Sequence, residues 1–466
     1  MASVNHSRRK FLKQNSLASL GIALAPTLFP ASVKAAGVNS PLYIPSSSDA
    51  PALLGGPSAW GAERWPKWPV WNPETDEKKL LEVMRSGVWS RAGVVTEFEK
   101  TWADALGAKR CLAVVNGTNA LVTAISQFDI GAGDEVLVPP YTFIATITAI
   151  LSNGAMPVFV DIDPATYQMD PAKIEAKITP RTKAIIPVHI LGMPADMPAI
   201  MTIAKKHKLV VIEDACQAHL AEINHKKVGT LGDAGCFSFQ NSKNLPIGEG
   251  GAVVSNDDIF MDKCFSYTNL GTPYGTAVGT VGTGSTMQGT KLRFSEYQAA
   301  IGLAQLKRLD AQTTTRNENA AYLKSMIKDM PGIVPYKLYD HVTRSAFHLF
   351  AFRFKKNEFK GLSRESFLKA MRAEGVPCSS GYTTLNTQPF LNETFQSQNY
   401  RKTYSREALN IKTYNEKNRC PENDLLCQEA VWFTQNMLLA TKNDMEAIAG
   451  AMDKIYKNAD QIKKIN

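Results

Sequence analysis

The sequence predicts an α/β protein whose main sheet is mostly parallel and covered by helices on both faces. Short apolar runs alternate with helical segments as far as about residue 260. Parallel strands are buried on both faces and need crossover helices, so this alternation favours a helix-covered parallel sheet. The chain has 466 residues, 44% of them hydrophobic and 20% charged, and can therefore form one large core or two unequal ones.

The first predicted elements follow in order along the chain. Residues 36–75 are rich in Pro, Ser, Gly and Trp and predict an extended arm, and DEKKLLEVMRSGVWS predicts a helix that ends near Gly87. A second helix, a turn and a buried strand ending at Val115 come next. Further strands are predicted in EVLVPP, MPVFVDID, AIIPVHI, LVVIEDA, GCFSF and GAVVSN.

A loop rich in Gly and Thr, residues 271–290, separates these strands from the rest of the chain. It has no helical or strand period, and we expect it to be mobile or to lie on a partner's surface. The following segment, SEYQAAIGLAQLKRLDAQ and beyond, predicts a long helix that links two domains. We therefore expect a large domain over residues 76–310 and a smaller α+β domain over residues 311–466.

The N-terminus has features in the order typical of an export signal. Arg8 and Arg9 precede an apolar segment rich in Ala and Leu, and small residues follow it up to Ala35. The stretch SRRKFLK resembles the twin-arginine class. Residues 1–35 are therefore expected to direct the protein to the periplasm, with no membrane span left after their removal. The alternative is a disordered basic leader or an amphipathic surface helix on a cytoplasmic protein.

Charge and cysteine content exclude several kinds of site. The net charge falls from +9 to +4 without residues 1–35, which contain five basic residues and no acidic ones, so no nucleic-acid partner is expected. The seven cysteines lack metal-ligand spacing, and no metal site is expected. Cys420 and Cys427 are near neighbours and could pair in an oxidising compartment.

Lys243 raises the question of function, because it lies between two apolar segments just before a glycine cluster. Gly117 separates a strand from a helix, whose N-terminal N–H groups can bind a phosphate. Asp214 ends a buried strand, and Phe143 follows another. Taken singly, the turn at Gly117 and Asp214 are as well explained as helix caps, and Phe143 as a core aromatic. Together, in this order, they fit pyridoxal 5′-phosphate, which needs a phosphate site, a ring face, a carboxylate and a lysine amine.

From about residue 75 to the C-terminus, the sequence resembles the DegT/DnrJ/EryC1/StrS family of sugar aminotransferases. The resemblance lies in NGTNAL, PPYTF, DIDP, HILGMPADM, EDACQAH, GDAGCFSFQNSKNLPIGEGGAVVSND and RFSEYQAAIGLAQL. It implies the fold-type-I architecture of aspartate aminotransferase, in which a large domain is built on a seven-stranded, mostly parallel sheet. It also implies pyridoxal phosphate as cofactor.

The resemblance assigns a role to each candidate residue. Lys243 would form the Schiff base with the cofactor and move the proton, while Asp214 would pair with the pyridine nitrogen. Gln217 would reach the phenolic oxygen, and Phe143 would stack on the ring. The phosphate would be held by Gly117, Thr118 and Ser238.

Two positions depart from the family pattern. The family has G-x-N-x-R-M before its long helix, where this chain has GTKLRF. Lys291 could replace the family's Asn at the phosphate of the partner subunit, so the resemblance implies a homodimer with shared active sites. The alternative is a solvated loop lysine. Leu220 stands where the family usually has Gly, and we expect it to reshape the substrate pocket.

The implied reaction moves an amino group from glutamate or glutamine to a keto-sugar or cyclitol. GVPCSSGYTTLNTQPFL and CPENDLLCQEAVWF resemble the cyclitol and keto-sugar branch of the family, and Trp89 and Tyr382 are candidate pocket residues that could equally just pack. One alternative is an eliminase or racemase that acts on amino compounds with the same cofactor. Another is a non-catalytic periplasmic binding protein of the same fold.

Overall fold

The structure is a computed structural model that describes residues 50–465, apart from 60–63, 278, 279, 281 and 283. The predicted export signal and the first part of the predicted arm lie outside the described residues. Within the described part of the chain, no helix combines the length and the apolar character that crossing a lipid bilayer requires.

A seven-stranded sheet forms the centre of the fold. Its strands, in spatial order, are β1 (Arg110–Val114), β9 (Gly251–Ser255), β8 (Ala234–Ser238), β5 (Val210–Asp214), β4 (Thr182–Ile185), β2 (Glu135–Val138) and β3 (Met156–Phe159). All neighbours from β8 to β3 are parallel, and β9 is antiparallel to β8 and β1. The predicted mostly parallel sheet is confirmed, and its strands occupy the predicted apolar runs.

The reversed direction of β9 follows from its connection to β8. Residues 239–250 contain no helix, and without a crossover helix a following strand pairs antiparallel. This connection carries Lys243. Because β9 runs against the other six strands, its first residue, Gly251, lies at the edge of the sheet where β1 and β8 end.

Helix α1 (Pro73–Ser86) packs against the long helix α7 (Glu296–Ile327). The two faces of the sheet are covered by α7 and by α2 (Gly93–Leu106), α3 (Gly117–Gln127), α4 (Ile144–Ser152), α5 (Met197–His207) and α6 (Asp258–Thr268). Side chains alternate between the faces, as strand geometry requires. In β1, Leu112 and Val114 pack in a cluster with α3, α4 and α6, whereas Ala113 packs in a second cluster with α2, α5 and α7.

The C-terminal half has its own antiparallel sheet, in which β12 (Leu349–Phe354) lies between β10 (Ile333–Pro335) and β13 (Ala430–Thr434). A small third sheet is formed by β6 (Glu222–Ile223), β7 (Lys226–Lys227) and β11 (Val342–Arg344). The predicted long helix is confirmed as α7. The domain boundary expected at residues 310 and 311 falls inside this helix.

The remaining α-helices belong to the C-terminal half of the chain. They are α8 (Arg364–Ala373), α9 (Pro389–Phe395), α10 (Gln398–Thr403), α11 (Ile411–Lys417), α12 (Pro421–Glu429), α13 (Lys442–Lys457) and α14 (Ala459–Ile462). Short 3₁₀ helices lie at Ala52–Leu54, Pro171–Lys173, Glu175–Lys177, Ile190–Gly192, Met437–Leu439 and Lys463–Ile465.

Residues 389–418, which we call the strap, lie against the outer edge of the seven-stranded sheet. The hydroxyl of Tyr400 donates to the carbonyl of Ala155 at 2.8 Å, and that of Tyr414 donates to Pro157 at 2.7 Å. Near the other end of β3, the N–H of Phe159 donates to the side chain of Asn418 at 2.7 Å. The strap therefore satisfies backbone groups of edge strand β3 that have no strand beside them on that side.

Candidate active site

The predicted site residues gather at one edge of the seven-stranded sheet. Strands β1, β2, β5 and β8 run in the same direction, so their carboxyl ends emerge at this edge. Gly117, Phe143, Asp214 and Ser238 lie at or just after these ends. Ligands of open α/β sheets bind at such an edge.

Lys243 lies in the connection between β8 and β9 and is half-buried. Its backbone N–H donates to the carbonyl of Gln240 at 2.8 Å. Its amine makes no hydrogen bond or ion pair with any residue the structure describes. Burial lowers the pKa of Lys243, against the opposing fields of Cys216 and Asp214. A lowered pKa increases the fraction of neutral amine, which is the nucleophilic form.

The carboxylate of Asp214 is buried and held by two donors. Its Oδ2 accepts a hydrogen bond from the hydroxyl of Thr146 at 2.7 Å, and its Oδ1 accepts one from the N–H of Cys216 at 3.2 Å. These bonds fix the orientation of the carboxylate at the end of β5. Thr146 was not among the predicted site residues, although it follows Phe143 by one helical turn in the same motif.

Gln217 connects the predicted cofactor site with the predicted substrate pocket. Its Oε1 accepts from the N–H of Leu191 at 2.8 Å, and its Nε2 donates to the hydroxyl oxygen of Tyr382 at 2.9 Å. The ring of Tyr382 packs edge-on against Trp432 and Tyr141, with centroid distances of 4.6 and 5.4 Å. Burial raises the pKa of Tyr382, so its hydroxyl stays protonated at neutral pH.

The predicted phosphate site is a helix N-terminus packed tightly against β8. Gly117 is the first residue of α3, and the side chain of Asn116 caps the helix by accepting from the N–H of Asn119 at 2.9 Å. A Cβ atom at Gly117 would lie 2.7 Å from the Cβ of Ser238 and 2.9 Å from the Sγ of Cys216.

The N–H groups of Gly117 and Thr118 belong to the first turn of α3, which has no intrahelical acceptors. Gly251 gives the same region a second close approach, because a Cβ there would lie 2.3 Å from the backbone carbon of Asn116. Gly251 was not among the predicted site residues. The two glycines bring the helix N-terminus and the ends of β8 and β9 together.

The other predicted residues are exposed. The ring of Phe143 is 55% exposed, and its carbonyl oxygen lies 3.2 Å from the hydroxyl oxygen of Thr146, which donates its proton to Asp214. Trp89 is also exposed, and its indole N–H donates to the carbonyl of Met84. Lys291 is exposed as well. Trp89 and Lys291 make no hydrogen bond with the other predicted residues in the described part of the chain.

Two buried histidines lie close to Lys243. His219 donates from Nε2 to the carbonyl of Ser238 at 2.9 Å, and burial followed by the charge of Lys243 lowers its pKa to about 3. His348 contacts the Oδ1 of Asn244 through Nδ1 at 3.2 Å, and the same two causes hold its pKa well below the usual range. Both rings are therefore neutral at pH 7. His219 ends the EDACQAH motif, whereas nothing in the sequence connected His348 with the site.

Leu220 does not have the predicted role in the pocket. Its φ is 60°, a left-handed conformation that glycine adopts without strain. Its side chain is buried in the hydrophobic cluster with α2, α5 and α7. This conformation accounts for the family's usual Gly at this position.

All seven cysteines are free thiols. Cys420 caps helix α12 and Cys427 lies within it. Cys427 lies seven positions after Cys420, a rise of about 10 Å along the helix axis, which is too far for a disulfide.

The described residues fit pyridoxal phosphate. They offer an unpartnered amine, an oriented buried carboxylate, an exposed aromatic face and a helix N-terminus, each of which matches one part of that cofactor. No group of three or more His, Cys, Asp or Glu side chains suited to a metal ion occurs in the part of the chain that the structure describes.

Comparison with known proteins gives concordant matches. A family model described as the DegT/DnrJ/EryC1/StrS aminotransferase family matches residues 72–419. The L-glutamine:2-deoxy-scyllo-inosose aminotransferase of Streptoalloteichus tenebrarius is 33% identical over 415 residues, which cover 85% of this chain and 96% of that protein. The spore coat polysaccharide biosynthesis protein SpsC of Bacillus subtilis is 36% identical over 324 residues, covering 68% and 83%.

Solved structures share the fold. The structure of 3-amino-5-hydroxybenzoic acid synthase superimposes with a TM-score of 0.73 at 30% identity, covering 85% of this chain and 100% of that one. An aminotransferase from Psychrobacter cryohalolentis gives the same TM-score and identity, with coverage of 84% and 99%.

Proposed function

Because the chain belongs to the DegT/DnrJ/EryC1/StrS aminotransferase family, we propose that it transfers the amino group of glutamine or glutamate to the ketone of a cyclitol or keto-sugar. The predicted aminotransferase activity, pyridoxal phosphate dependence and fold-type-I architecture are confirmed. The observation that carries the proposal is the unpartnered amine of Lys243, near the carboxylate of Asp214 at the carboxyl edge of the sheet.

The choice of acceptor is supported by relatives and by the side chains near Gln217. The relative from Streptoalloteichus tenebrarius is named for a glutamine donor and an inosose acceptor, and it matches most of this chain. Tyr382, Tyr141 and Trp432 form an aromatic group beside Gln217. Aromatic faces with polar N–H and O–H groups suit a ring that alternates C–H and hydroxyl groups.

The residues of the chain divide the work of transamination. When bound, pyridoxal phosphate withdraws electrons from the carbon that bears the amine. The neutral amine of Lys243 takes the proton from that carbon and returns a proton to the acceptor carbon. Asp214, oriented by Thr146, would keep the pyridine nitrogen of the bound cofactor protonated. His219 and His348 stay neutral and add no charge beside the lysine.

The acceptor assignment is tested by single-turnover absorption measurements. Enzyme loaded with pyridoxal phosphate should lose its visible band with L-glutamine or L-glutamate and regain it with scyllo-inosose. Recovery only with nucleotide-linked keto-sugars would overturn the acceptor class. Release of free ammonia without recovery would favour the eliminase alternative.

We also propose a homodimer with shared active sites. Leu81, Met84, Val88, Trp89 and Tyr297 are large exposed apolar side chains. Leu81 and Met84 lie on one face of α1. The N–H of Glu296, which precedes Tyr297, donates to the carbonyl of Trp89, so Tyr297 lies near Trp89 and its neighbour Val88. Contiguous apolar surface of this kind marks interfaces. Lys291, exposed on the same protomer, would serve the partner's cofactor phosphate.

Light scattering after size exclusion tests the dimer. The wild type should have twice the mass of the chain, and the variant with Leu81→Asp and Met84→Asp should be a monomer with weakened cofactor binding. Ile259→Asp is the matched control, because Ile259 is 71% exposed and lies in α6, outside the proposed surface. A monomeric wild type that binds cofactor fully would overturn the proposal.

We propose further that residues 1–35 export the folded enzyme to the periplasm. The support is the order of features in the sequence, from Arg8 and Arg9 through the apolar segment to Ala35. Cell fractionation should find the wild type in the periplasm and the variant with Arg8→Lys and Arg9→Lys in the cytoplasm. A Lys34→Arg control should be exported normally. Equal distribution of all three proteins would refute export by this route.

A further inference from the structure

Arg316, in the middle of α7, is a fully buried cation. Its Nε and Nη2 both donate to the side-chain oxygen of Gln435, at 3.0 and 2.6 Å. Its Cζ lies 5.2 Å from the ring centroid of Trp68, in the segment that precedes α1. The Nη1 of Arg316 and the Nε1 of Trp68 are both buried without an acceptor among the described residues.

No counter-charge balances this guanidinium within the part of the chain that the structure describes. No carboxylate of the described residues forms an ion pair with Arg316, and burial lowers its pKa to about 9. Burying a charge without a partner is unfavourable, so buried cations in proteins are normally paired. Gln435 supplies only a neutral amide oxygen. The two unpartnered nitrogens, the Nη1 amino group of Arg316 and the indole N–H of Trp68, are a donor set for an anion with two oxygens.

Hydrogen bonds connect the segments that carry this cation and the lysine. Asn317, next in sequence to the arginine, donates to the carbonyl of Ser345 at 2.6 Å and accepts from its N–H at 3.1 Å. Asn244, next to Lys243, donates to the carbonyl of Ala346 at 2.7 Å. Ser345 and Ala346 are consecutive, so one short segment before β12 is bonded both to the residue after Arg316 and to the residue after Lys243.

The electrostatics agree with this placement. Burial is the main cause of the lowered pKa of His348, and the charges of Lys243 and Arg316 both lower it further. The same two charges act on His219. Both cations are thus near the same pair of neutral rings.

We propose that Arg316 and the indole N–H of Trp68 bind the carboxylate of the amino donor while the donor's amine faces Lys243. This inference rests on the proposed function, in which an amino acid and a polyhydroxy ketone enter the same site in turn. An amino acid carries a carboxylate, whereas a cyclitol ketone carries no charge. A buried arginine without a carboxylate partner therefore distinguishes the donor from the acceptor.

Calorimetric titration of the enzyme loaded with pyridoxal phosphate tests the site without turnover. The probe is glutaramate, which is glutamine without its α-amine and cannot react, and the uncharged control is glutaramide. Arg316→Gln, which can still donate to Gln435, should weaken glutaramate binding about tenfold or more. Trp68→Phe should weaken it less, and neither change should affect glutaramide. Unchanged glutaramate binding in Arg316→Gln would overturn the proposal.

A small resident anion is the other source of the same chemistry. In that case chloride should raise the melting temperature of the wild type but not of Arg316→Gln, and glutaramate binding should be equal in both proteins. This result would overturn the assignment to the donor.

If Arg316 has only a structural role, Arg316→Gln should have a lower melting temperature and bind glutaramate normally. This result too would overturn the proposal. If that variant does not fold, Trp68→Phe and Arg316→Lys provide the comparison. If the wild type aminates no acceptor but these variants lose glutaramate binding, the proposed function is refuted and the carboxylate site stands. If the wild type turns over normally and the variants bind glutaramate as tightly as it does, the proposed function stands and the carboxylate site is refuted.

Discussion

Gly117→Ala tests whether the phosphate site depends on the close approach between α3 and β8. The added Cβ would lie 2.7 Å from the Cβ of Ser238 and 2.9 Å from the Sγ of Cys216, both inside the range that real side chains avoid. Neither neighbour is a long flexible chain that could move aside. Overpacking of this kind is unfavourable by about 1–3 kcal/mol, which corresponds to about 5- to 150-fold in a dissociation constant.

The assay is absorption titration of the apoenzyme with pyridoxal phosphate. We expect Kd to rise by that factor in Gly117→Ala, because the helix N-terminus must move away from the phosphate. Gly93→Ala is the matched control, since Gly93 also begins a helix and its added Cβ would meet nothing within 4 Å. Cys216→Ala, combined with Gly117→Ala, should restore part of the affinity, because it removes the Sγ that lies 2.9 Å from the added Cβ. A Kd in Gly117→Ala within twofold of the wild type would refute the reasoning.

Three further predictions concern charge in the site. Burial lowers the pKa of Lys243 in the folded protein, so the unfolded chain binds more protons. The apoenzyme should therefore gain stability, relative to Lys243→Met, as the pH rises towards 10.5. Equal pH slopes of the two proteins in urea unfolding would contradict this. His219, with a folded pKa of about 3 against 6.5 unfolded, should lose about 2 kcal/mol of stability between pH 7 and 5, and His219→Asn should abolish that loss in the same assay. Asp214→Asn should lower kcat/KM for glutamine by about 100-fold or more, and Thr146→Val by less, in steady-state assays; equal losses would disprove an orienting role for Thr146.

Much of the fold could be predicted because the signals are local. The apolar runs of the central strands and the helical period of α7 lie within single elements, so periodicity alone identifies them. The positions of Gly117, Asp214 and Lys243 relative to strand ends were equally local. Parallel topology then brings strand ends to one edge, whatever the loops do.

The contacts that the sequence could not predict join distant residues. Arg316 and Gln435 are 119 residues apart, and Asn244 and Ala346 are 102 apart. The helices of the strap have only six or seven residues and lie among polar residues, which leaves little periodicity to detect. Lys291 shows a different limit, because its predicted role involves a second subunit, and that geometry is not encoded in local patterns. The roles of Lys291, Trp89 and the other site residues stay predictions, as does the export signal.

The strap can cover edge strand β3 only late in the synthesis of the chain. Tyr400 and Tyr414 bond to backbone carbonyls that precede them by 245 and 257 residues. While a nascent chain is being translated, β3 therefore emerges from the ribosome long before the side chains that cover it. During that interval its open backbone can pair with a strand of a neighbouring chain. The last quarter of the polypeptide thus ends a period of aggregation risk that begins when only about the first third has been synthesised.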